Sequence, residues 1–161
     1  MQVGVKVNVP HEWKLGEKYI KNTSTYKYLG DSITSDGKNQ QNITMKENRL
    51  QQIIRQINTT ASSEVMHGIE TRVILELYEK FALTAFLNNS ESWTLSTAEE
   101  KEVDKLGIQA IKRLFNLPSK TPTVAIIYSL GLTYTTQIID QRKFMYLHKI
   151  LNKEEQNWTN A

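Results

Sequence analysis

Apolar and polar positions divide the chain into two regimes. Residues 13–20 (WKLGEKYI) and 25–34 (TYKYLGDSIT) carry aromatic and β-branched residues in partial alternation, which predicts two short strands. The intervening KNTS is a turn candidate, and Ser35-Asp36-Gly37 closes the second strand. From Asn39 onward the spacing is helical. Ile43, Leu50, Ile54, Ile57 and Ala61 fall on one face, with Lys46 at its edge and Arg49, Gln52 and Arg55 off it. TASSEVMHG (60–68) breaks that pattern.

A second helix is predicted over 69–87. Ile69, Val73, Leu77, Phe81 and Ala85 form its stripe, widened by Ile74 and Tyr78. A third begins at the capping-box pattern Thr97-Ala98-Glu99-Glu100 and points Val103, Leu106, Ala110, Ile111 and Leu114 inward. Gly107 within it costs about 1 kcal/mol against Ala unless another backbone passes close by. Thr121-Pro122 starts a short helix that stops at Gly131. A last helix, 136–151, turns Ile138, Ile139, Met145, Tyr146 and Ile150 inward and Arg142, Lys143 and Lys149 outward or sideways. The fold class expected is α+β, mainly α: a β-hairpin region (1–38), a bundle of about five helices (39–151) and a frayed tail (152–161). A two-stranded ribbon is marginal alone, so this one must pack on the helices or join a larger sheet.

The absence of cysteine rules out disulfides and thiolate metal sites. The opening residues lack the basic start and apolar run of a secretory signal, and no stretch reaches the roughly 18 apolar residues of a membrane helix. Charge is uneven. Residues 1–63 hold nine Lys/Arg against five Asp/Glu (+4), residues 64–107 four against nine (−5), and residues 108–161 seven against three (+4). Two basic ends would line one polyanion surface if the fold joins them; solvated helix faces would give the same pattern.

A complete catalytic set is missing. Gly30 and Gly37 do not have phosphate-loop spacing, and His11, His67 and His148 are scattered. Asp31 and Asp36 are turn-forming residues at opposite ends of one strand, and the acids of 98–105 sit at a helix N-terminus, where the dipole favours them. What remains is binding chemistry: Trp13, Tyr26 and Tyr28 beside Lys27, Lys38, Lys46 and Arg49, aromatic faces that stack on bases next to cations that neutralise phosphates. On the residues alone, Tyr26 and Tyr28, on one strand face by the two-residue period, are expected simply to cover the helices.

The segment YKYLGDSITSDGK resembles the stretch just after the catalytic palm in reverse transcriptases of non-LTR retrotransposons. Four downstream pieces follow in the same order as in that family: NITMKENRLQQIIRQINTT, VILELYEKFALTAFLNNSESWTL, LGIQAIKRLFNLPSKTP and IDQRKFMYLHKIL. The resemblance covers roughly residues 13–151 and implies a set of roles. Tyr28-Leu29-Gly30, with Tyr26, would be a primer grip touching the primer backbone. The helices would be a thumb, with Lys46 and Arg49 as phosphate contacts and Lys112 and Arg113 as a second pair. The implied partners are an RNA template–DNA primer duplex and the polymerase's palm and fingers, without a membrane, inside the cell in nucleus and cytoplasm. The family's aromatic-x-Asp-Asp motif is absent from these residues, so no catalytic residue and no cofactor is expected in this chain; magnesium would belong to the palm. The residues before Trp13 do not resemble a palm strand and are expected to mark a fragment boundary. LNNSESW departs from the family's aromatic-Gly pair before Glu91 and Trp93, which fits a decayed or repurposed copy. The alternative is a domesticated, non-catalytic helical module binding nucleic acid, or a protein through Glu70, Glu76 and Glu79.

Overall fold

Two glycines with left-handed backbone, Gly16 (φ 63°) and Gly30 (φ 92°), divide what reads as two strands into four. The computed structural model describes residues 13–20, 23–28, 30–61 and 70–158. β1 (Trp13–Leu15) pairs antiparallel with β2 (Lys18–Ile20), and β3 (Thr25–Tyr28) with β4 (Asp31–Thr34), in two separate two-stranded sheets. The single ribbon expected is therefore two hairpins. Both connections are two residues long, a length that demands positive φ and hence favours glycine. Five helical rods follow, so the class is α+β, mainly α. They are α1 (Gln40–Ala61); a continuous rod made of α2 (Thr71–Leu77), a π-helical turn (Tyr78–Leu83) and α3 (Thr84–Phe86); α4 (Thr97–Leu114); α5 (Thr123–Leu130); and α6 (Thr135–Trp158). Leu29, His11, His67, Ile69 and most of the break expected at 60–68 lie outside the described residues.

The core is helical. Ile43, Leu50 and Ile54 of α1 meet Phe86 and Leu87, Val103, Ala110 and Ile111 of α4, and Ile139 of α6, all essentially inaccessible to water. α1 and α4 run in the same direction. Their N-terminal ends are tied by Asn39 N–H to Glu99 Oε1 (3.0 Å) and by Gln40 to Glu102 (3.1 Å), and their C-terminal ends by Asn58 Nδ2 to the Arg113 carbonyl (3.1 Å).

α4 starts one residue earlier than the Thr97–Glu100 pattern suggests as its cap. The capping box is Ser96 with Glu99. Burial alone would push the Glu99 carboxyl up. Hydrogen bonds from the Ser96 N–H and hydroxyl and from the Asn39 N–H outweigh it and hold the group below its ordinary 4.5. A carboxyl whose folded value is depressed stabilises the fold above the unfolded value and loses that contribution as pH falls through the folded one. The Glu99→Gln variant is accordingly expected to show a shallower loss of stability below pH 4.5 than the wild-type chain in urea titrations at stepped pH; parallel curves would remove Glu99 from the acid response.

Gly107 has a packing reason. It faces the side chain of Thr135 at the start of α6, not another backbone, and a Cβ built on it would collide with the Thr135 hydroxyl. Tyr78 OH also reaches the Gly107 carbonyl (3.5 Å), and burial pushes that phenol up from its ordinary value. Gly107→Ala would gain about 1 kcal/mol of helix propensity but overpack the α4–α6 contact at about 1–3 kcal/mol. The expected net result is a lower urea midpoint; a raised one would mean that Thr135 yields freely.

The second rod buries only part of the face expected. Leu77, Ala85, Ile74 and Tyr78 pack on the core as expected and Ala82 and Phe86 join them, whereas Val73 and Phe81 are exposed. Ile74, Tyr78, Ala82 and Phe86 form the inward line. In an α-helix each four-residue step overshoots a full turn by about 40°, so such a line drifts sideways. The wider π turn cancels part of the drift and keeps these four residues aligned on the core. The Thr84 hydroxyl donates to the Glu79 carbonyl five residues back (3.1 Å) inside that turn. In α6, Ile138 and Ile139 pack inward as expected, but Met145, Tyr146 and Ile150 are exposed. The reason is that α6 lies against α4 and the Ser90–Ser92 turn. Its helix continues through Trp158, past the point where fraying is expected.

Candidate nucleic-acid interface

The second hairpin is held on α1 by polar contacts. Asn42, in the first turn of α1, acts as a surrogate strand residue: its Oδ1 accepts from Ser32 N–H (2.7 Å) and its Nδ2 donates to Ser32 C=O (3.0 Å). One turn further along, Lys46 Nζ lies 2.9 Å from Asp31 Oδ1, with side-chain exposures of only 10% and 14%. The same ammonium donates to the Asn88 carbonyl and lies 5.1 Å from the centre of the buried Trp93 ring. A cation over an indole gains electrostatically, and more so when water is excluded. Asp31 Oδ1 has no hydrogen bond of its own among the described residues, so the nearby ammonium is what compensates its charge. The neighbouring Leu87 carbonyl accepts from Arg142 Nη1 of α6 (2.6 Å), so this half-buried cation is turned sideways onto the bundle. Cations from α1 and α6 thus close the exposed carbonyl end of the second rod, where the helix dipole favours positive charge. Asn89 follows in the left-handed conformation and turns the chain into Ser90–Ser92.

This node gathers Asp31, Lys46 and Trp93, one residue from each of three segments in the family resemblance. It also changes the standing of Lys46. Expected on the surface as a phosphate contact, it is buried, and reaching a phosphate would break three interactions. The signal lay in the spacing: Lys46 is three residues after Ile43 and four before Leu50, inside the apolar stripe. Asn42, Asn88 and Arg142 had no such signal: the Asn42 and Arg142 side chains bond backbone groups remote in sequence, and Asn88 takes part through its own backbone carbonyl. Trp93 is buried at the Lys46 site, while Glu91 sits half-buried in the short turn.

Tyr26 and Tyr28 project from one face of β3 by the two-residue period and are 54% and 57% exposed, so they do not cover the helices. Lys27 is exposed on the opposite face. Gly30 stands in open space at its positive φ, so the turn itself requires glycine. Arg49 is exposed and hydrogen-bonds Gln52 (3.0 Å).

Lys112 and Arg113 belong to another place. They line a groove at the far end of α4 with Lys105 and Tyr134, and Lys112 donates to the Ser119 carbonyl (2.8 Å). α4 ends there in a Schellman turn, with Asn116 left-handed and Leu117 N–H bonded to the Lys112 carbonyl (2.8 Å). Because Asn58 marks that end and Asn42 the hairpin end, sixteen residues of α1 separate the two clusters by about 24 Å. Among the described residues, no three His, Asp or Glu side chains gather to hold a metal, and no helix is long and apolar enough to cross a membrane. Compared with family models, curated proteins and solved structures, the chain matches none.

Proposed function

We propose that this chain holds a nucleic-acid duplex, as the primer grip and thumb of a non-LTR retrotransposon reverse transcriptase whose catalytic carboxylates lie elsewhere. The observation that carries the reading is the braced hairpin. Tyr26 and Tyr28 stand in water on a ribbon that is otherwise too short to be stable, and the ribbon is pinned to α1 through Asn42 and Lys46. Rigid support beneath exposed aromatics is what a strand-end clamp needs, since a loose platform loses the benefit of stacking in ordering entropy. The second cluster, Lys112 and Arg113, would meet the duplex about 24 Å further along α1. At one phosphate per 1.7 Å of axis, that is roughly seven base pairs away.

The test is fluorescence anisotropy of a labelled RNA–DNA duplex against salt. Four phosphate contacts (Lys27, Arg49, Lys112 and Arg113) would lower the affinity about 100-fold between 50 and 200 mM salt, and the hairpin-end pair alone about tenfold. Lys112→Ala with Arg113→Ala is expected to move the first behaviour to the second. Absence of duplex binding, or binding indifferent to salt, would overturn the proposal.

A further inference from the structure

Phe81 is 59% exposed on the π turn, at the lip of a groove between α1 and the second rod. Ile53 and Ile57 of α1 and Leu77 form the groove's apolar floor, with Arg49 on one wall and Lys80 on the other. No carboxylate lines it, although the exposed flank of the rod carries Glu70, Glu76 and Glu79. Lys80 makes no ion pair among the described residues, and Arg49 is bonded only to the neutral Gln52 amide. The π turn produces this arrangement, because the register that keeps Tyr78 and Ala82 in the core leaves Phe81 outside. π turns inside α-helices are frequent at functional sites.

An exposed ring between two cations above an apolar floor fits one ligand chemistry: an unpaired nucleotide segment, with a base stacked on the ring and its phosphates on the cations. We infer that the groove between α1 and the π turn binds single-stranded nucleic acid, with a base on Phe81 and the flanking phosphates on Arg49 and Lys80. Charge complementarity decides the occupant, since a cationic, carboxylate-free groove selects a polyanion. The site shares Arg49 with the duplex reading, but its ring, Phe81, and its second cation, Lys80, lie apart from the tyrosine hairpin, and it does not rest on that reading.

The test is anisotropy of the full chain with a labelled twelve-residue oligothymidylate at 50 mM salt. Stacking of one base predicts that Phe81→Ala weakens binding at least about fivefold, while Phe81→Trp preserves it. Lys80→Glu should weaken it as well. Tyr26→Ala with Tyr28→Ala should leave it unchanged, and Phe81→Ala should leave blunt-duplex binding unchanged. Loss of oligothymidylate binding on Phe81→Ala in a chain that ignores duplex supports this site and sinks only the duplex proposal. Absent oligothymidylate binding, equal binding by Phe81→Ala, or a groove that takes an acidic peptide instead would each overturn the inference.

Discussion

Replacing Lys46 with alanine is expected to destabilise the chain by about 3–5 kcal/mol, the usual cost of removing one partner from a buried ion pair. The ammonium compensates the Asp31 carboxylate at 2.9 Å, caps the Asn88 carbonyl and sits over Trp93, and both charged groups are largely shielded from water. Removing it leaves Asp31 charged and unpartnered, because Oδ1 has no other bond among the described residues. At about 2–4 °C per kcal/mol for a chain of this size, the melting temperature should fall by roughly 6–20 °C. The pair itself need not be stabilising relative to an apolar substitute, so Lys46→Met combined with Asp31→Asn should recover much of the loss. The first amides to exchange with solvent in Lys46→Ala should be those of β3 and β4, since the pair ties that hairpin to α1. A shift below about 1 kcal/mol, or exchange spread evenly over the bundle, would contradict the geometry. The same variant separates two roles in binding. A phosphate contact removed lowers the salt slope by about 0.9, whereas a loosened hairpin weakens binding at an unchanged slope. The unchanged slope is the expected result.

Trp93→Ala is expected to cost about as much, 3–5 kcal/mol, on the scale of large-to-small substitutions in a core. The ring is buried and forms one wall of the Lys46 site, so its loss both opens a cavity and admits water to the ion pair. The two variants share an interaction, so the double variant should fall short of the sum by about 0.5 kcal/mol or more. Trp93→Phe is the informative companion. The indole N–H finds no acceptor among the described residues, so its removal forfeits no hydrogen bond. Phe keeps a ring under Lys46, and its cost should stay below about 1.5 kcal/mol. Denaturant titrations of Lys46→Ala, Trp93→Ala, their double variant and Trp93→Phe test this. Additive losses would show that Trp93 and Lys46 do not interact, and a Phe variant as damaged as the Ala variant would show that the N–H has a partner after all.

The helices were largely legible from spacing. The inward apolar residues expected of α4 are all buried, and so are Ile43, Leu50, Ile54 and Ile57 of α1, because each helix buries one stripe against a single core and the 3.6 period records which side that is; α1 buries Asn42, Lys46 and Ile53 besides. The second rod was legible as a helix and its face only in part: Ile74, Leu77, Tyr78 and Ala85 pack on the core as expected, but Val73 and Phe81 do not. A π turn is set by how Tyr78 and Phe86 reach the core and leaves no mark in a four-residue repeat. α6 read as amphipathic throughout, yet it lies against α4 and the Ser90–Ser92 turn while Met145, Tyr146 and Ile150 stand in water; how far a helix outruns its neighbours is not written in its own periodicity.

The candidate site divides the same way. Aromatic alternation and positive charge marked Tyr26, Tyr28 and Arg49 from sequence alone, and the structure leaves all three exposed. The amino-acid order by itself also determined the mainly helical class, the β-rich start and the absence of thiol chemistry, since these depend on local pattern and composition. Tertiary structure alone decided that Asp31, Asn88 and Trp93 surround Lys46, and that Lys112 and Arg113 lie about 24 Å from the hairpin. A charge is a surface group or a buried anchor according to what approaches from distant parts of the chain, and residues 31, 46, 88 and 93 meet only once the bundle has closed.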